Sequence, residues 1–84
     1  MYKAVYSEEA VRQIVDLRPA GKRRYVLDQI ERLAENPSTQ GDFEVIDSQR
    51  RTNQIVVLSG IAITFWSDHA VKELRVVAVT SFGR

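Results

Sequence analysis

Three patterns of apolar and polar positions follow one another along the chain. They are a short alternating start, a helical period through the first half, and dense apolar runs through the second. MYKAVYS sets Tyr2, Ala4 and Tyr6 against Lys3 and Val5, which predicts a short strand. Ser7 is then a good helix N-cap, and Glu8 and Glu9 fall in the first turn, where the helix dipole favours acids. Ala10, Val11, Ile14 and Leu17 recur at helical spacing and form one stripe. Arg18-Pro19-Ala20-Gly21 ends that helix, because the residue before proline avoids the α region. A second helix carries Val26, Leu27, Ile30, Leu33 and Ala34 on one side and Arg23, Asp28, Glu31, Arg32 and Glu35 on the other. Asn36-Pro37 stops it. The short link and two one-sided stripes predict an antiparallel helical hairpin lying on something flat.

The polar residues 38–42 lead into strands. Phe43 to Ile46 has the pattern of a short one, and residues 47–50 that of a turn or bulge. IVVLSGIAITFW, residues 55–66, is apolar at nearly every position, with Ser59-Gly60 as a two-residue hairpin turn. That turn pairs Leu58 with Ile61, Val56 with Ile63 and Gln54 with Phe65. A second hairpin, centred on the polar residues 67–72, pairs Ile61 with Ala78, Ile63 with Val76 and Phe65 with Leu74. Both turns put the same apolar set on one face, as a period-two strand requires. The opposite face then holds Ile55, Val57, Ala62, Thr64, Trp66, Arg75, Val77 and Val79. Two helices are too little chain to cover both faces. The expected fold is therefore one α+β domain over residues 1–84, a two-layer sandwich of order β-α-α-β-β-β. Its antiparallel sheet has the helical hairpin on one face and a mostly apolar outer face, which marks a partner site.

Composition narrows the function classes. With 84 residues, 44% apolar and 27% charged, the chain reads as one ordinary globular domain. Twelve Lys plus Arg against eleven Asp plus Glu leave a net charge of +1, too little for nucleic-acid binding by bulk charge. There is no cysteine, so no disulfide or thiolate metal site is expected, and no apolar run is long enough for a membrane span. The start lacks the pattern of a secretion signal, which favours the cytoplasm. With one histidine and no clustered carboxylates, neither a metal nor another cofactor is expected.

Candidate chemistry is sparse. His69 suits acid–base work near neutral pH, or is simply solvated in a turn. Arg75, mid-strand on the outer face, could bind phosphate or an acid of a partner, or pair with Glu73. Trp66 on the same face reads as an interface anchor. Arg50 and Arg51, and the cluster Lys22, Arg23 and Arg24 at the start of the second helix, are candidate nucleic-acid contacts. The pairing places Arg50, Arg51, Asp68, His69 and Lys72 at one end of the sheet and Ser59, Gly60, Phe82 and Arg84 at the other, roughly 23 Å away. His69 and Arg84 therefore cannot serve one phosphate.

The order β-α-α-β-β-β, the opening strand into SEEA, the helix VLDQIERLAENP and the closing ITFWSDHAVKELRVVAV resemble the RelE/ParE superfamily of type II toxin–antitoxin toxins. The likeness spans nearly the whole chain and rests on element order and diffuse pattern rather than a rigid motif. It implies a bacterial, archaeal or plasmid origin and a cognate antitoxin that lays an extended or helical segment across the toxin. It implies either ribosome-dependent messenger-RNA cleavage or, in the ParE branch, poisoning of DNA gyrase; family frequency puts the ribonuclease activity ahead. Arg75 and Arg84 are then the candidate catalytic residues. Where the ribonuclease branch carries a Gly-aromatic-Arg motif, this chain reads Gly60-Ile61-Ala62, and its end offers Phe82 and no Tyr. Those departures leave a third expectation, a catalytically inactive interaction module whose apolar face is buried in a homodimer or held by a partner.

Overall fold

The structure, a computed structural model, describes residues 1–82. The chain runs β1 (Lys3–Tyr6), α1 (Glu8–Val15), α2 (Gly21–Glu35), β2 (Phe43–Ile46), β3 (Thr52–Leu58), β4 (Ile61–Asp68) and β5 (Glu73–Ser81). One five-stranded sheet forms in the order β1-β5-β4-β3-β2. The helices pack on one face of it, α1 on β5 and α2 on β1 and β5, so the two-layer α+β sandwich expected from the pattern is present. Two details differ from that expectation. The short strand Phe43–Ile46 is a full member, giving five strands. β1 also pairs with β5 in parallel, so the sheet is mixed rather than antiparallel. The parallel pairing follows from the connections: the two helices return the chain as β2, antiparallel to β1, and the three reversals from β2 through β3 and β4 to β5 bring β5 back beside β1 in the same direction.

Ser7 caps α1 as its side-chain type predicts, its Oγ accepting the Ala10 N–H at 3.0 Å. Ala10, Ile14 and Leu17 are buried, while Val11 and Val15 are exposed. In α2 the buried residues are Val26, Ile30, Leu33 and Ala34, with Leu27 at the rim. These meet Ile61, Ile63 and Phe65 of β4 and Leu74, Val76 and Val79 of β5, all at most 1% exposed. Tyr6 packs against this core, and burial, then the charge of Glu31, pushes its hydroxyl pKa up.

The β3–β4 register is as read from the turn: Leu58 opposes Ile61, Val56 opposes Ile63 and Gln54 opposes Phe65. Ser59 and Gly60 both take positive φ, 50° and 78°, as a primed hairpin turn demands. The β4–β5 register differs. Phe65 opposes Val76 and Trp66 opposes Arg75, a slip of two residues that leaves each side chain on its expected face. A bulge between Thr64 and Phe65 then inserts Val77, so Thr64 opposes Ala78 and Ile63 opposes Val79. That one-residue shift flips the parity beyond it. Val79, expected on the outer face, is therefore a core residue at 1% exposure.

Candidate functional site

The helix-free face of the sheet carries the candidate residues. Ile55 and Val57 of β3, and Ala62, Thr64 and Trp66 of β4, are half-buried there, covered by no helix. Phe43, Val45 and Val77 extend the same face and are 62%, 45% and 38% exposed. The face divides into two ends. Ile55, Val57, Ala62, Thr64 and Ala78 make an apolar end, and Arg51, Trp66, Asp68, Glu73 and Arg75 make a charged one.

Trp66 is the centre of the charged end. The Arg51 guanidinium carbon lies 4.3 Å from its ring centroid and that of Arg75 lies 5.6 Å away. Such cation–π contacts contribute about 0.5–1 kcal/mol each at partly exposed sites. Arg75, placed by the register directly opposite Trp66, donates from Nη2 to Glu73 at 2.7 Å and has Asp68 at 3.7 Å from its Nε. The pairing with Glu73 that the sequence allowed is thus made, and a second carboxylate joins it. Two acids against one guanidinium leave Arg75 little spare charge for a phosphate unless one of them moves.

Arg51 is held differently. Residues 47–51 form a tight turn in which Arg50 takes φ 63° and Asp47 receives four donors. Its carboxylate accepts the N–H of Gln49 and Arg51 at 2.8 and 2.9 Å, the Nε of Arg51 at 3.2 Å and the amide of Asn53 at 3.1 Å. Stabilising the charged form in this way holds the Asp47 carboxyl pKa down at about 2, with the Arg51 N–H the largest cause. Asn53 is pinned beneath, 3% exposed, with its Nδ2 also bonded to the Arg51 carbonyl at 3.3 Å. The turn therefore delivers Arg51 to the Trp66 ring as a rigid unit. Sequence reasoning missed Asp47 and Asn53. The signal was present in Asp-Ser-Gln-Arg, since an aspartate opening a turn accepts the N–H two residues on.

The other candidates do not join this cluster. Arg50 points from the same turn and is exposed. At the start of α2, Arg24 pairs with Asp28 at 3.5 Å in solvent, Lys22 and Arg23 are half-buried, and Ala20 offers no side-chain cap. His69, in the β4–β5 turn, shares a 2.7 Å hydrogen bond between Nδ1 and the Tyr2 hydroxyl, with the rings edge to face. It borders a polar cleft of about 310 Å³ under residues 37–40. That cleft has no Lys or Arg in its wall, and its Gln54 and Ser67 are spent on Gly41, Glu44 and Pro37. Arg84 lies outside the described residues. Among the described residues no group of three His, Asp or Glu could hold a metal ion, and no helix is long and apolar enough to cross a membrane.

No family model and no curated protein matches the sequence. Solved structures do. The isolated E. coli RelE toxin superposes with a TM-score of 0.77 at 16% identity, over 100% of this chain and 87% of that one. The RelBE2 toxin–antitoxin complex of Mycobacterium tuberculosis gives 0.74 at 14%, over 95% and 96%. The intact E. coli RelBE toxin–antitoxin complex gives 0.66 at 13%, over the whole of both chains. Identities this low speak for architecture only, and the architecture of this chain is the RelE-like toxin fold.

Proposed function

We propose that this chain is the toxin of a toxin–antitoxin pair and that its cognate antitoxin docks on the helix-free face of the sheet. One observation carries the proposal: Ile55, Val57, Ala62, Thr64 and Val77 form a contiguous surface that the chain's own helices leave open. Apolar surface of that kind on so small a domain favours a protein partner. Trp66, rigid between two arginines, is the anchor where the apolar and charged ends meet. Two of the solved RelE-like neighbours are toxin–antitoxin complexes, which supports the same reading. Induced expression alone should arrest growth, and co-expression of the adjacent short reading frame should restore it. A culture that grows normally through induction contradicts the proposal.

The proposed mode of arrest is translation inhibition by ribosome-dependent messenger-RNA cleavage, with Arg51 as a phosphate contact and Arg75 as a second once Glu73 or Asp68 moves off it. The chain would supply positioning and charge, since His69, committed to Tyr2, is the only histidine. Lys22, Arg23, Arg24 and Arg50 would add peripheral contacts. Primer extension on cellular RNA after induction should show new message ends. Intact messages with broken DNA would point instead to gyrase poisoning.

A second reading, an interaction module without catalysis, is favoured by the two carboxylates on Arg75 and by Ala62 where the ribonuclease branch has an arginine. Growth arrest that survives Arg75→Ala with no new RNA ends would select it.

A further inference from the structure

The two helices of this chain begin in opposite ways. α1 opens on the Ser7 cap with Glu8 and Glu9 in its first turn, the charges that the positive end of a helix dipole favours. α2 opens on Ala20, with no side-chain cap and no acid in its first turn, and sets Lys22, Arg23 and Arg24 there instead. Arg18 stands just before them, its Nη1 donating to the Val15 and Leu17 carbonyls at 3.2 and 3.1 Å, which holds its guanidinium at the end of α1. Every cation at the start of α2 opposes the dipole. A local choice that works against folding, in a domain that caps its other helix well, is the kind that function retains.

The small net charge of the chain conceals this corner. Residues 18–24 carry four cations and no acid, while the rest holds eight Lys plus Arg against eleven Asp plus Glu, a net of −3. The molecule is therefore polarised. Among the described residues only Arg24 of the four has an ion-pair partner, Asp28 at 3.5 Å, and both are well exposed, where such a pair is weak. Lys22 and Arg23 are half-buried, and Arg23 Nε is buried without a hydrogen-bond partner. The outer face is the contrary case, since Asp47, Asp68 and Glu73 already match Arg51 and Arg75 there. The Tyr25 hydroxyl lies 3.5 Å from Ser59 Oγ, which sets the corner beside the β3–β4 turn. From that turn β4 runs about 20 Å to Trp66.

We infer that this corner is a docking surface for the phosphate backbone of double-stranded RNA, separate from the outer face. Lysine and arginine donors hold phosphate and position a nucleic acid without reading its sequence. Four of them within seven residues suit RNA in particular, because the narrow major groove of an A-form helix brings the phosphates of its two strands close together. The choice of RNA over DNA rests also on the translation reading above, which it deepens by giving the cations at the start of α2 a site of their own.

Fluorescence anisotropy of the full chain with a labelled RNA hairpin of about 16 base pairs tests the inference along a salt series. Lys22→Gln with Arg23→Gln and Arg24→Gln is set against Lys3→Gln with Arg12→Gln and Arg32→Gln, three exposed cations elsewhere whose loss changes the net charge equally. The corner triple should bind at least about tenfold more weakly than the native chain and flatten the slope of log affinity on log salt by about two to three, while the control triple stays within about threefold. Taking cations from a helix start relieves the conflict with the dipole, so the corner triple should melt no lower than the native chain, and lost binding is then not lost fold. Equal losses from the two triples, no binding by the native chain, or a DNA duplex of the same sequence bound as tightly as the RNA overturns the inference. Growth arrest is read separately. Arrest without corner-dependent RNA binding removes this inference and leaves the toxin reading standing, and corner-dependent binding without arrest does the reverse.

Discussion

The two faces of the sheet are built from nearly the same residue types and meet different fates. On the inner face Ile61, Ile63, Phe65, Leu74, Val76 and Val79 are sealed by α1 and α2, each at most 1% exposed. On the outer face Ile55, Val57, Ala62 and Thr64 are only half-buried, by each other and by Trp66. Apolar composition alone does not say which face of a strand is the core. The number of helices available to cover it does, and two helices of 8 and 15 residues cover one side. The inner face supplies the stability of the domain, and the outer face is left for its business with other molecules.

That division can be broken most forcefully from inside. Phe65→Ala should cost about 3–5 kcal/mol in urea unfolding, a large share of the roughly 5–15 kcal/mol that holds a domain together. Next comes the seam between the faces. Ser7→Ala removes both the α1 cap and the bond to the Val77 carbonyl, and a thermal melt should register a loss of about 1–2 kcal/mol. A loss confined to a few tenths would mean that the β5 overhang does not depend on this cap.

Asp47 sharpens the outer side of the comparison through pH. Its carboxyl pKa is lowered from the ordinary 3.8 to about 2 in the folded chain, so the unfolded state binds its proton more readily. The stability it contributes is fully present above about pH 4 and is lost as pH falls toward 2. Asp47→Asn should therefore unfold at lower urea than the native chain at pH 7, with the gap closing near pH 2. A gap that stays constant would remove the charge-based account of the turn. The smallest effect is expected at Arg50, whose φ of 63° favours glycine. Arg50→Gly should raise stability by less than ~1 kcal/mol and leave the Arg51–Trp66 contact in place, as tryptophan fluorescence would show.

Much of this was legible from residue order. The Ser7 cap, the Ser59-Gly60 turn and most of each helix stripe are local signals that the structure honours, while Val11 and Leu27, counted in the stripes, are exposed. The parallel β1–β5 pair was not legible, because it joins the two ends of the chain through contacts that no local pattern encodes. The bulge at Val77 was hidden by composition: Val76-Val77-Ala78-Val79 is apolar throughout, so nothing in it marks which residue is the extra one. Val79 moved to the core for that reason, while Arg75, short of the bulge, kept its face. At the candidate site, the types and faces of Trp66 and Arg75 were readable. Their mutual contact was not, since it depends on a two-residue slip in the register. Asp47 and Asn53 escaped notice because a turn's internal hydrogen bonds organise chemistry without resembling a motif.

The central claim is that the helix-free face receives the antitoxin. Isothermal titration with the product of the adjacent reading frame tests it, using two double variants of the full chain. Val57→Asn with Val77→Asn alters the outer face, and Val11→Asn with Val15→Asn alters exposed apolar positions on α1 at the helix side. The account predicts that the outer pair weakens binding by about 100-fold, roughly 2.7 kcal/mol, while the helix pair binds within about threefold of the native chain. Unchanged affinity for the outer pair, with loss for the helix pair, would contradict it.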